Sequence, residues 1–208
     1  MNSAIAEPPI KSDLKIPDFL IKEEINGKPY AYKGFKSVLS KEKTLEEIMG
    51  SSNLQAYLVS CLLEFLFDNI SRKEYKIYTN ESGVHLSYKN NLACDIAIFE
   101  KEKLFANKIT KHYVNIPPKV VIEVDVDIES ADNQNIIFME TGYVSKKTEA
   151  LLAFGVEKVI WILSESEKVL VATNDDKWYF LPWKNDIEIL DGVTFNIAQF
   201  IENEGVEL

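Results

Sequence analysis

Residues 119–128 read KVVIEVDVDI. Under the two-residue period of a β-strand, Val120, Ile122, Val124, Val126 and Ile128 share one face, while Val121, Glu123, Asp125 and Asp127 share the other. One face is apolar throughout, and the opposite face carries three acids. Carboxylates two residues apart along a strand face stand about 7 Å apart, so they repel unless water screens them or a cation neutralises them. Two readings follow: a half-exposed strand with a solvated acidic face, or a lining for a divalent cation, because hard ions such as Mg²⁺ bind carboxylate oxygens.

Neighbouring segments bear on the choice. EKVIWIL (157–163) has the near-continuous apolar character of a buried central strand, and CDIAIF (94–99) matches it except for one acid, Asp95. An unpartnered charge there is unfavourable by several kcal/mol, so Asp95 requires a bound ion, a partner from another element, or a backbone amide at a strand end. The helix pattern GYVSKKTEALLAFG (142–155) places Val144, Lys147 and Leu151 on one face, directing Lys147 toward the sheet unless its stem snorkels to the surface. Two acids on neighbouring strands under a helix lysine are the ingredients of metal-assisted phosphodiester hydrolysis. A lysine acting on transition-state charge is expected to matter more to rate than to folding.

Farther out, Ser52 is the expected N-cap of a helix over NLQAYLVSCLLEFLFDNI, whose apolar residues recur at steps of three and four. The first 15 residues read as a loose arm, and 16–208 as a single domain. Within it, 16–33 predicts a helical turn and then a strand around KPYAYK, the two separated by Asn26 and Gly27. Strands are expected at 75–79 and 83–88, turning near Ser82 and Gly83, and at 93–99, 119–127, 157–163, 167–173 and 177–182. Helices are expected at about 132–154, stopped by Gly155, and near 196–203. The order gives an α/β or α+β fold with a mixed central sheet flanked by helices.

Composition narrows the function classes. Of 208 residues 46% are apolar and 27% charged, values ordinary for a globular protein, and a net charge of -10 argues against a large non-specific DNA footprint. Arg72 is the sole arginine among 23 basic residues, so bidentate guanine readout is poorly supplied. Without an apolar run of about 18 residues or a basic-then-apolar N-terminus, the reading is cytoplasmic. Cys61 and Cys94 fall in apolar patterns and read as core. His85 and His112 lack partners at catalytic spacing; Trp161 reads as core, whereas Trp178 and Trp183 bracket a hairpin and would cover a sheet edge or a homodimer contact.

Asp95 in CDIAIF, Glu123 in VVIEVDV, and Lys147 followed by LLAFGVEKVIWIL resemble the PD-(D/E)XK nuclease superfamily, in particular its Uma-type branch of restriction endonucleases. The likeness spans about residues 17–165 and includes Glu23 to Gly27, Gly155 with Val156, and Trp161. It implies a restriction-endonuclease-like fold and a Mg²⁺- or Mn²⁺-dependent endonuclease acting on DNA, with a homodimer as one assembly. Asp95 and Glu123 would be metal ligands, with the Val124 carbonyl as a third; Lys147 would position the attacking water, and Asp125 and Glu23 would tune the site or hold a second ion. The alternative is a catalytically degenerate nuclease fold serving as a binding or regulatory module. Departures are visible: Asp125 replaces the strand lysine of the superfamily, Cys94 its name-giving proline, and Gln55 stands near a place where the branch often has histidine. Glu123 and Lys147 are 24 positions apart (147 − 123), the extra residues lying around ADNQNIIFMETG.

Overall fold

A computed structural model describes residues 15–106, 108–125, 128–129 and 142–207. One turn of 3-10 helix, Asp18–Leu20, leads into a hairpin of β1 (Ile21–Ile25) and β2 (Lys28–Tyr32). Asn26 and Gly27 take φ of 50° and 81°, the paired positive angles with which an Asn-Gly turn follows strand twist. The helical turn expected from the sequence is thus brief, and an unforeseen strand, β1, follows it. Two short helices, α1 (Phe35–Leu39) and α2 (Glu46–Met49), connect to α3 (Asn53–Asn69). Ser52 caps α3 as expected, its Oγ accepting the Gln55 N–H at 3.1 Å.

β3 (Tyr75–Ser87) and β4 (Asn90–Glu100) form a long hairpin, followed by α4 (Lys101–Phe105) and β5 (Val120–Val124). After the two-residue β6 (Ile128–Glu129) come α5 (Tyr143–Phe154), β7 (Lys158–Leu163), β8 (Lys168–Thr173) and β9 (Trp178–Pro182). A small hairpin of β10 (Ile187–Leu190) and β11 (Val193–Phe195) precedes α6 (Ile197–Glu204). The central sheet runs β3-β4-β5-β7-β8-β9, with β5 and β7 parallel and the other pairs antiparallel; β1, β2 and β6 form a second sheet. No described helix is long and apolar enough to cross a membrane.

β5 lies at the centre, and every residue from Val120 to Val124 is buried. Val120, Ile122 and Val124 pack with Leu58, Leu62 and Leu66 of α3, while Val121 on the opposite face packs with Val144 and Leu151 of α5. Covering both faces of this strand removes the half-exposed acidic face from consideration. Its two-residue alternation holds only to Val124, because Asp125 adopts φ 62° and ends the ladder. Asp127 lies outside the described residues.

Three further expectations change. The turn expected near Ser82 and Gly83 is a bulge within the continuous β3, where Asn80 and Glu81 take φ of 68° and 51° and the register slips between Thr79 and Ser82. The helix expected from about 132 begins at Tyr143, after an extended Gly142; residues 130–141 lie outside the described residues. Trp183 is not a surface cover but core, 5% exposed and packed with Ile187 and Phe195, whereas Trp178 stays partly exposed on the edge strand β9. Trp161, Cys61 and Cys94 are buried as expected.

Gly155 stops α5 at φ 116°, and a Cβ there would stand 3.2 Å from the Pro117 side chain. Gly155→Ala is therefore expected to lower unfolding free energy by about 1–2 kcal/mol, the cost of a left-handed L-residue, read from urea unfolding; an unchanged midpoint would contradict this account of the helix stop.

Candidate functional site

The antiparallel register that pairs Ile96 with Ile122 and Ala97 with Val121 sets Asp95 opposite Glu123 when continued by one step. Side chains so placed have Cβ atoms about 4.5–5.5 Å apart. Asp95 and Glu123 line one cavity of about 80 Å³ together with Glu23, Gln55, Tyr143 and Lys147. That volume admits a small ion with a few waters, since one water needs only about 10–15 Å³. Asp95 Oδ2 accepts the Val124 N–H at 2.8 Å, fixing its carboxylate at the C-terminal end of β5. Asp125 also lines the cavity, but its Oδ1 accepts the Ser164 N–H at 2.7 Å while its own N–H donates to Ile162 O at 2.7 Å. It clamps the end of β5 to the end of β7.

Lys147 does not snorkel: it is 3% exposed. Its Nζ donates to Ala93 O at 2.6 Å and to the Tyr143 hydroxyl at 3.1 Å, and forms ion pairs with Glu123 Oε1 at 3.1 Å and Glu23 Oε2 at 3.5 Å. Glu23 is equally engaged, its Oε1 accepting the Ala93 N–H at 2.9 Å and its Oε2 accepting the Tyr143 O–H at 2.6 Å. Glu23 thus ties β1 to β4 and α5. Tyr143 was not foreseen as a site residue. It sits four residues before Lys147, the spacing that stacks two side chains on one helix face, and this was its only mark in the sequence.

Two carboxylates, Glu23 and Glu123, flank the buried ammonium, and Asp95 lines the same cavity. Burial alone would pull Lys147 down, but Glu123 and Glu23 lift it well above the usual lysine range, so it stays charged. Burial pushes Glu123 up to about 8, and the Asp95 and Glu23 charges add to the shift while Lys147 opposes it. Burial is the largest cause, and it outweighs the ammonium that stands beside Glu123. Burial first, then Glu23 and Glu123, raise the Tyr143 hydroxyl far above its ordinary range, so it remains a donor.

Two buried oxygens in this region lack a hydrogen bond: Glu123 Oε1, held only by its ion pair with Lys147, and Gln55 Oε1. Gln55 is 5% exposed, and its Nε2 donates to Val124 O at 2.9 Å, leaving the amide oxygen orphaned beside the acids. It shares a helix face with buried Leu58 and Leu62, so a polar residue in that apolar stripe was the signal for it. Among the described residues no three His, Cys, Asp or Glu side chains group closely enough to hold a metal by themselves. The oxygens at this cavity that could ligate a hard cation, with water, are those of Asp95, Glu123, the Val124 carbonyl and Gln55. His85 and His112 line a separate groove rather than this cavity.

No protein-family model matches the chain, and no curated protein matches it. Among solved structures it is similar to a protein from Anabaena variabilis ATCC 29413 described as a putative nuclease belonging to DUF820. That similarity has a TM-score of 0.58 and 14% sequence identity, over 86% of this chain and 89% of the other. It establishes the fold as nuclease-like, a six-stranded mixed sheet flanked by helices.

The raised Glu123 has a consequence for the metal-free protein. The folded state holds a proton there between about 4.5, the ordinary glutamate value, and about 8, whereas the unfolded chain has released it. The folded state then binds more protons, so this contribution to stability falls as pH rises through that window. In EDTA, wild type is expected to lose more stability than Glu123→Gln between pH 5 and pH 8 (about the span of the shift), measured by urea unfolding; parallel pH profiles would rule out a protonated Glu123.

Proposed function

We propose that the chain is a Mg²⁺- or Mn²⁺-dependent DNA endonuclease of the PD-(D/E)XK type, resembling its Uma-type branch. The observation that carries this reading is the charged Lys147 Nζ, 3.1 Å from Glu123, at the wall of a cavity shared with Asp95 and an orphaned Gln55 oxygen. The nuclease-like fold supports it.

Asp95, Glu123, the Val124 carbonyl and Gln55 would hold the cation. When bound, it would supply Lewis-acid stabilisation of charge gathering on the scissile phosphate. Glu123 would have to be ionised to serve as a ligand, so binding of a cation there would depend on pH. Lys147 is charged at neutral pH, so it does not act as a base. It contributes electrostatically, orienting the attacking water and stabilising the negative charge of the transition state. Tyr143 and Glu23 fix the direction of its ammonium, and Asp125 holds the strand end that positions Glu123 and Val124. Glu23 and Asp125 therefore tune the site through position; both Glu23 oxygens already accept donors, which disfavours a second ion on that residue.

A second reading is favoured by one observation. Lys147 has three N–H bonds, and Ala93 O, Tyr143, Glu123 and Glu23 already surround it, so substrate contact requires one partner to be released. A degenerate fold serving as a binding or regulatory module would keep that arrangement permanently.

Cleavage of supercoiled plasmid by the purified protein with Mg²⁺ or Mn²⁺ distinguishes the two. Asp95→Asn keeps an oxygen for the Val124 N–H while removing ligand charge, so it is expected to abolish cleavage and the cation-induced thermal shift with little change in metal-free stability. No wild-type cleavage on single-stranded, duplex or supercoiled DNA would leave the binding module as the reading.

Lys147→Ala is expected to slow cleavage by about 10²-fold or more. Contrary to what the sequence suggested, it should also destabilise the fold by about 3–5 kcal/mol, because it strands buried Glu23 without its counter-charge. Rates are to be compared well below its unfolding midpoint; cleavage indifferent to the substitution would remove Lys147 from the mechanism.

A further inference from the structure

A groove of about 1120 Å³ runs beside the candidate site, bounded by β3 and by the loop of residues 108–116. Thirty-three of the chain's 208 residues are acidic, yet among the described residues no Asp or Glu lines this groove. Lys108, Lys111 and both of the chain's histidines, His85 and His112, do, and all four are exposed. An acidic protein has thus placed two exposed lysines in one groove with no described carboxylate beside them. The loop is tied to the edge strand β3 by His85 N–H to Val114 O at 2.8 Å and Val114 N–H to Gly83 O at 3.0 Å.

Tyr113 adds an aromatic surface. Its ring rests on Gly83, where a Cβ would stand 2.4 Å from Tyr113 Cδ1, so only glycine leaves room for this seat. The ring nonetheless remains 58% exposed, supported from below and open above. The groove adjoins the site along β3: Glu81 lines the cavity of Asp95 and Glu123, while the next residues, Ser82 and Gly83, line the groove. Gly83 is the register partner of Ala93, whose backbone holds Glu23 and Lys147, so the seat of Tyr113 lies one strand spacing, about 4.8 Å, from that backbone.

We propose that this groove binds a single-stranded segment of nucleic acid flanking the scissile bond, with Lys108 and Lys111 on phosphates and a base stacked on Tyr113. This assignment rests on the nuclease reading and adds the strand's path to it. A single strand is the occupant because an open aromatic platform needs an unpaired base, whereas two lysines without arginine are a small phosphate-binding set for duplex.

The test is fluorescence anisotropy of a labelled oligothymidine with the full-length protein in EDTA, so that binding is measured apart from cleavage. Wild type should bind the single strand more tightly than duplex of equal length, with a log–log salt slope near about −1.4, two phosphate contacts at about −0.7 each. Lys108→Gln with Lys111→Gln should flatten that slope and weaken binding at least tenfold. Tyr113→Ala should also weaken binding about tenfold or more, and Tyr113→Phe should restore it. Lys177→Gln with Lys184→Gln, at the opposite sheet edge, should change nothing. Equal binding by wild type and the groove variants would overturn the proposal, as would tighter binding of duplex. Displacement of the oligonucleotide by poly-glutamate at equal charge would overturn it too, by assigning the groove to an acidic protein. The nuclease reading is judged separately by plasmid cleavage: groove variants that bind normally while wild type cleaves sink only the groove, and groove-dependent binding without cleavage sinks only the enzyme.

Discussion

The ammonium of Lys147 is the constraint around which the molecule is arranged. It draws together β1 through Glu23, β4 through the Ala93 carbonyl, β5 through Glu123, and its own helix through Tyr143. Each contact requires its strand to stand at one height. The second sheet is thereby docked against the first by charge as well as by the apolar contacts of Ile25 and Tyr30. A buried ion pair of this kind is a poor source of net stability, because dehydrating the charges costs about as much as their attraction returns. It stands in an otherwise apolar layer, beside the orphaned Gln55 oxygen.

Much of this was legible in the sequence where the signal was local. Asp95 announced itself as one acid in an apolar strand, Glu123 by alternation, Lys147 by its helix face, and Gly155 by its place after an apolar helix. What escaped depended on partners distant along the chain. Gln55 meets Val124 across 69 residues and Tyr143 meets Glu23 across 120, and neither pairing has a local pattern. Asp125 looked like a further residue of the strand because its period fitted. It leaves the ladder because aspartate tolerates the left-handed region and the Ser164 N–H captures its carboxylate. The β3 bulge was hidden for the opposite reason: Ser82 and Gly83 carry turn chemistry, but the residues with positive φ are Asn80 and Glu81.

The N-terminus of α3 shows how a helix can be recruited to a site without contributing charge. Ser52 satisfies the Gln55 backbone N–H, which frees that side chain to reach the end of β5 and hold the Val124 carbonyl. An apolar residue at 55 would pack equally well against Leu58 and Leu62, but it would leave that carbonyl unheld. The amide is therefore spent on orientation, and its orphaned oxygen is the visible cost.

The parallel pairing of β5 with β7 has a kinetic meaning. Both acids, Asp95 and Glu123, belong to the antiparallel pair β4–β5, which can form as soon as residue 124 is available. The lysine rides on α5, within the crossover that must close before β7 can align beside β5. Long-range parallel pairings form late, because loop closure is unfavourable before their contacts compensate it. A growing chain would then pass through a stage in which the acids face one another without their cation. In that interval the two carboxylates lack the ammonium that α5 later brings against Glu123.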